Sequence, residues 1–330
     1  MGLTRREFVK LCMTSTFGAY FLSVLGPEFG SDLAFAADDK PVVIWLQGAS
    51  CTGCSISLLN SVDPPIEKVL FEVISLSYHP NIMAGTGHLC SEILEEVVAN
   101  YRDRFFLIVE GGIPLKEKGI YCTITETRNK KELTMLQAVN VLGNAATAVI
   151  AAGNCASFGG IPAAAPNPAE VVGVNKVVTK KPVINISCCP MPPEHFLGTV
   201  VYILTKNQVP QLDRYNRPKM FYPKPIHEEC WRRKYFDVGK FAQSPGEEGC
   251  LALLGCKGFV AMSDCDKRGW NNDVNWCIKA GAPCQACSEP GFPDDSSPLY
   301  GLFPLTNKKG VSYAQVNPRE TEFVEPLKKV

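Results

Sequence analysis

Neither sign of charge is in excess in this sequence, where 33 Lys and Arg stand against 33 Asp and Glu. That balance gives no electrostatic basis for a nucleic-acid partner or an acidic membrane surface. Long apolar runs are missing as well. Beyond the N-terminal region no stretch reaches the roughly 18 apolar residues of a membrane-spanning helix, so no transmembrane anchor is expected. There is no internal repeat and no low-complexity tract, and 46% hydrophobic with 20% charged residues excludes bulk disorder. Histidine is scarce, at four residues, while cysteine is abundant, at 15. A chain of this length does not need disulfides to supplement a small core, so metal becomes the leading use for the thiols.

The N-terminus reads as an address. Thr4-Arg5-Arg6-Glu7-Phe8-Val9-Lys10 precedes an apolar run from Leu11 to Leu25, and Ala34-Phe35-Ala36 has the small-x-small form of a cleavage site. The pattern resembles a twin-arginine signal over residues 1–36, which implies export to the periplasm in the folded state. Cleavage after Ala36 removes Arg5, Arg6 and Lys10 together with Glu7, Glu28 and Asp32, leaving the charge balance unchanged.

From residue 37 to about 215, apolar runs alternate with helical patterns. Strands are expected at Pro41 to Gln47, Phe71 to Ser77, Phe105 to Val109, Thr147 to Ala152 and Pro182 to Ile186. Helices are expected from Cys54 to Val62, Leu89 to Asn100, Glu132 to Leu142, Val171 to Val178 and Phe196 to Lys206. This alternation predicts an α/β fold, a doubly wound parallel sheet of flavodoxin-like type. Past Tyr215 the pattern stops, and Pro218, Pro223 and Pro225 mark a boundary. Residues 216–302, rich in Gly, Asp and Asn, are expected to form an irregular iron-sulfur cluster domain, followed by a polar C-terminal extension at 303–330.

Ligands of open α/β sheets gather beyond the carboxyl ends of the strands. Cys51 and Cys54 follow the first expected strand, Cys155 the fourth, and Cys188 with Cys189 the fifth. Residues distant in sequence thus converge on one edge, as a four-thiolate cluster requires. One C-x-x-C also fits zinc or a redox dithiol. Three cysteine-bearing strand ends together with folded export favour iron-sulfur. Further on, His227, Cys230, Cys250 and Cys256 supply an imidazole and three thiols, and the neutral imidazole should raise the potential of a cluster it binds. Cys265, Cys277, Cys284 and Cys287 supply four more thiols. Paired disulfides are the alternative for this region.

With these residues placed, the chain resembles the small subunit of the nickel-iron hydrogenases. The matching pieces are Trp45-Leu46-Gln47-Gly48 before Cys51-x-x-Cys54, Val109-Glu110-Gly111-Gly112, Gly153-x-Cys155 with Gly159-Gly160, Cys189-Pro190, His227-x-x-Cys230, Gly255-Cys256-Lys257-Gly258 and Cys284-x-x-Cys287-Ser288-Glu289-Pro290. The resemblance implies an electron wire. A separate large subunit carries the nickel-iron centre that splits hydrogen, and the small subunit passes electrons to a periplasmic multihaem cytochrome c. It implies proximal ligands Cys51, Cys54, Cys155 and Cys189, distal ligands His227, Cys230, Cys250 and Cys256, and a medial set containing Cys265, Cys284 and Cys287.

Cys277 stands where most members have Pro, as in the nickel-iron-selenium class, so a medial 4Fe-4S rather than 3Fe-4S cluster is expected beside proximal and distal 4Fe-4S clusters. The register into Gly198-Thr199-Val200-Val201 favours Cys189 over Cys188. Cys90 and Cys122 read as buried thiols outside the ligand sets, and Glu110 and Ser50 as neighbours of the proximal site; no catalytic acid or base is assigned. A hydrogen-sensing subunit and a complex I-type cluster subunit are the competing readings. The export signal argues against both, and the His227 to Cys287 equipment argues against the second.

Overall fold

The computed structural model describes residues 40–62, 64–297 and 299. The expected signal segment and the extension at 303–330 lie outside the described residues. The chain divides into two compact units between Tyr222 and Pro223.

The first unit is built on five parallel strands: β1 (Val42–Gln47), β2 (Ser75–Tyr78), β3 (Phe105–Glu110), β4 (Ala148–Ala152) and β5 (Val183–Ile186), in the order β2-β1-β3-β4-β5. That is the flavodoxin-like order expected from sequence, with strand order reversing between β1 and β3. The near-continuous apolar strands are buried on both faces, as parallel sheets require. On one face Ile44, Leu46, Leu107, Val109 and Val149 pack with Leu94 and Val97 of α2 (His88–Tyr101) and with Val139 and Leu142 of α3 (Met135–Ala145). The small α4 (Gly153–Phe158) follows β4 directly, and α1 (Gly53–Leu59) follows β1 after a five-residue loop. On the other face Val43, Ile108 and Ile150 meet Phe196, Val200 and Ile203 of α5 (Pro193–Lys206).

Three local expectations need correction. The apolar run from Phe71 is not strand at its start: Val69–Val73 forms a helical turn that buries Val69 and Val73 at i,i+4 spacing and leaves Phe71 exposed, and β2 begins at Ser75. Glu132–Thr134 is a short strand paired with Thr123–Glu126; the helix starts only at Met135, where Thr134 and Gln137 close a reciprocal capping box. Val171–Val172 pairs with Ile113–Pro114 instead of opening a helix, as suits β-branched residues, and only a single 3-10 turn, Val174–Lys176, follows.

The first unit extends seven residues past the expected end at 215. Arg217 and Phe221 are fully buried in it, Arg217 on Asp213 at 2.8 Å and Phe221 stacked on His195 at 4.4 Å, while the Tyr222 hydroxyl donates to the Ser187 carbonyl at 2.7 Å.

Among its described residues the second unit has little regular structure, namely α6 (Arg233–Asp237), α7 (Cys265–Arg268) and three 3-10 turns at Ile226–Glu228, Leu251–Leu254 and Asp294–Ser296. Its main core joins Ile226, Leu251, Trp276 and Ile278 to the buried thiols of Cys230, Cys256, Cys265 and Cys284. Among the described residues, no helix is long and apolar enough to cross a membrane.

Candidate metal centres

Pairing in the sheet aligns the last residue of four strands in one row: Gln47 faces Glu110, Glu110 faces Ala152, and Ala152 faces Ile186. The segments carrying Cys51, Cys54, Cys155 and Cys189 leave from that row, Cys54 in the first turn of α1 and Cys155 within α4. Their sulfurs are near enough to feel one another. Burial pushes the Cys54 thiol well above its ordinary range, Glu110 adds to the shift, and Cys155 and Cys189 add more. Burial likewise raises Cys155, with Cys51 among the further causes. Cys188 is fully buried and its carbonyl accepts from the Asn154 amide at 2.8 Å, whereas Cys189 is half-buried and its charge reaches Cys54.

Two glycines let the backbone crowd these sulfurs. A Cβ on Gly153, whose φ is +84°, would sit 2.4 Å from the Cys54 sulfur. One on Gly160 would sit 3.0 Å from the Cys155 sulfur and 2.9 Å from its amide nitrogen. The Met191 amide donates to the Cys54 sulfur at 3.4 Å. Main-chain amides directed at sulfur are what a negatively charged cluster needs around it.

Glu110, 1% exposed, anchors the same loops. It accepts from Trp45 Nε1 at 3.0 Å, Gln47 Nε2 at 3.1 Å, Ser50 Oγ at 3.2 Å and the Cys54 amide at 3.0 Å, and from the Ser55 hydroxyl. His79 Nε2 lies 3.0 Å from that same hydroxyl, and burial lowers its pKa despite Glu110. The sequence marked Glu110 and Ser50 as neighbours of the site. Ser55 and His79 were missed, since a serine inside an amphipathic helix and a lone histidine carry no periodic signal.

In the second unit Cys230, Cys250 and Cys256 form one electrostatic group. Burial raises Cys230 to about 11 and Cys250 to about 12, and Cys256 adds to both. The His227 ring is buried against Phe259 at 3.9 Å and Phe236 at 4.7 Å, and its amide donates to the Gly258 carbonyl at 2.9 Å. Burial first, then Arg233, lowers its pKa to about 3, so it is a neutral imidazole at ordinary pH, the form that binds metal. Cys265, Cys284 and Cys287 form the neighbouring group. Burial raises Cys265 to about 11 and Cys284 well above its usual range, with Cys287 contributing to both. Cys277 stands at the surface, yet desolvation and then Cys287 raise its thiol. The groups adjoin at Cys256, whose sulfur accepts the Cys284 amide at 3.4 Å. Cys90 and Cys122 belong to none of these groups and pack with the core beside α2 and α3.

No disulfide joins any of the fourteen described cysteines. Among the described residues, no three His, Cys, Asp or Glu side chains converge as a single ion would require. A 4Fe-4S cluster is held differently, through one protein ligand on each iron, so its ligands stand apart. Burial keeps these thiols protonated until metal displaces the proton, and soft thiolates with one imidazole suit iron-sulfur chemistry.

Fold and donors together define a flavodoxin-like electron-transfer protein with a thiol-rich second unit, and the comparisons narrow the class. The model of the NADH ubiquinone oxidoreductase 20 kDa subunit family matches residues 51–203, and the C-terminal model of the NiFe/NiFeSe hydrogenase small subunit family matches residues 222–300. The periplasmic [NiFeSe] hydrogenase small subunit of Desulfomicrobium baculatum is 40% identical over 314 residues, covering 91% of this chain and 99% of that one. The periplasmic [NiFe] hydrogenase small subunit 1 of Nitratidesulfovibrio vulgaris is 41% identical over 310 residues, covering 91% and 93%. A crystal structure of the reduced, active Ni-Fe-Se hydrogenase from Desulfomicrobium baculatum superposes with a TM-score of 0.78 at 39% identity, covering 80% of this chain and all of that one. The chain belongs to the nickel-iron and nickel-iron-selenium hydrogenase small subunits, the electron-transferring, iron-sulfur part of a hydrogen-oxidising enzyme.

Proposed function

We propose that this chain is the wire of a periplasmic hydrogenase, holding three clusters. The proximal 4Fe-4S cluster is assigned to Cys51, Cys54, Cys155 and Cys189; the medial 4Fe-4S cluster to Cys265, Cys277, Cys284 and Cys287; and the distal 4Fe-4S cluster to His227, Cys230, Cys250 and Cys256. Residues 1–36 direct export by the twin-arginine route, and the loaded chain travels folded. The observation that carries this reading is the row of strand ends from Gln47 to Ile186, which delivers the proximal cysteines to one edge at the point where strand order reverses.

Once bound, the clusters supply one-electron redox centres. The chain's own residues exclude water from the sulfurs, aim amides at them and fix the loop geometry. Hydrogen itself is split on a nickel-iron centre in a large partner subunit. Exposed apolar residues lie in the segments that follow Cys54 and Cys155, with Ile56 at 61%, Val62 at 62% and Ile161 at 51%, and they suit a broad protein partner. A periplasmic multihaem cytochrome c takes the electrons from the distal end.

Anaerobic purification followed by iron, acid-labile sulfide and nickel analysis tests the assignment. The expected result is iron and sulfide in cluster stoichiometry, with a co-purifying nickel-containing chain. Near-zero iron, with the thiols of Cys230 to Cys287 oxidised to disulfides, would overturn it.

A further inference from the structure

The fixed charges nearest the sulfurs differ in sign between the two units. Beside the proximal set the nearest is an anion: Glu110 is buried and bound to the Cys54 amide at 3.0 Å. Beside the other sets they are cations. Arg268, 7% exposed, directs Nη2 at the Cys265 sulfur at 3.6 Å while its Nε holds Asp264 at 3.2 Å. Lys257, 3% exposed, follows Cys256 directly, and its amide donates to the Cys284 carbonyl at 2.8 Å, so it stands where the medial and distal groups adjoin. Its Nζ is held by the Leu299 carbonyl at 2.7 Å and Gln285 Oε1 at 3.4 Å.

We infer that Glu110, Lys257 and Arg268 are positioning charges that set the order of cluster potentials, Glu110 holding the proximal cluster low and the two cations holding the medial and distal clusters high. The inference rests on the cluster assignment above. A cluster becomes more negative on reduction, so a neighbouring cation favours its reduced form and a neighbouring anion its oxidised form. Both effects act with little screening, because all three side chains are buried. The resulting difference between the proximal cluster and the other two favours electrons leaving a hydrogen-splitting partner. It is supplied by side chains that bind no iron, separately from the choice of ligands.

The remaining charges near the medial and distal groups leave this sign in place at every thiol except Cys230. Arg232, 5% exposed, lowers the thiols of Cys230, Cys250 and Cys256 as a further cation, although it is not the largest influence on any of them. Asp264 raises Cys265, but it is paired with Arg268 at 3.2 Å. At Cys230 the Asp266 carboxylate acts against the cations and outweighs the Arg232 charge there, whereas no carboxylate stands among the causes at Cys250 or Cys256.

The test uses the complete enzyme with its partner subunit and an EPR-monitored potentiometric titration of each cluster. Lys257→Met should lower the medial and distal midpoint potentials while leaving the proximal one in place, and Lys257→Arg, which keeps the charge, should restore them. Glu110→Gln should shift the proximal potential upward and leave the other two in place. Unchanged potentials in Lys257→Met with all clusters present would overturn the inference. So would a fall in Lys257→Met that Lys257→Arg reproduces instead of reversing, because packing and not charge would then be responsible. Wild-type enzyme that holds no iron refutes the cluster assignment itself, whereas a loaded wild type with unmoved variants refutes only the charge reading.

Discussion

Replacing Gly153 by Ala tests the proximal site with a built-in control. The Gly153 φ of +84° makes any side chain there cost roughly 1–2 kcal/mol. The new methyl would also lie 2.4 Å from the Cys54 sulfur, where ordinary contact begins at 3.4 Å. Either the sulfur or the loop must therefore give way by about 1 Å, an overpacking cost of roughly 1–3 kcal/mol. Gly246 has nearly the same φ, +85°, with nothing within 4 Å of its added Cβ, so Gly246→Ala carries the backbone cost alone. The contrast between the variants isolates the contact with sulfur. Gly153→Ala should lose the proximal cluster, roughly a third of the total iron if three four-iron clusters are present, and its proximal EPR signal. Gly246→Ala should keep both. Equal iron content and equal denaturation midpoints for the two variants would refute the placement of Cys54 at a cluster.

Three further outcomes are expected. Cys277→Ala should convert the medial cluster to a 3Fe-4S form, seen as a new stoichiometric signal in EPR of the oxidised enzyme that the wild type lacks. Below pH 6.5 the unfolded chain protonates His227 while the folded chain resists until about pH 3. Stability from this residue is therefore complete above 6.5 and falls as acid is added, by up to about 1.4 kcal/mol per pH unit; denaturation of the metal-free protein between pH 7 and 4.5 should show a steeper loss for wild type than for His227→Gln. Thr134→Ala removes the capping box of α3 and should cost about 1 kcal/mol in chemical denaturation without changing iron content.

The sheet was legible because each buried parallel strand is a short apolar run bounded by turn residues, and β1, β3, β4 and β5 fall within a residue or two of their expected positions. The misread segments were those where tertiary pairing outweighs local pattern. Val171–Val172 becomes strand because Ile113–Pro114 lies alongside it, a partner 58 positions away that no window reveals. The grouping of the cysteines into three sets was legible from strand-end position and from the family resemblance. The charges around them were not. Lys257 and Arg268 look like solvated surface residues in a polar segment, and only the folded chain shows them buried among sulfurs. Glu110 was visible as a neighbour of the site, but its donors come from β1, the Cys51 loop and α1, a convergence that only the fold brings about.

The amide of Cys284 resting on the sulfur of Cys256 makes one stretch of backbone a shared wall of two thiol nests. On the cluster assignment proposed above, filling either nest would fix part of the other's wall, so the second insertion would meet a half-prepared socket. A chain with one nest filled would then be closer to completion than an empty one, and loading of the two should rise together.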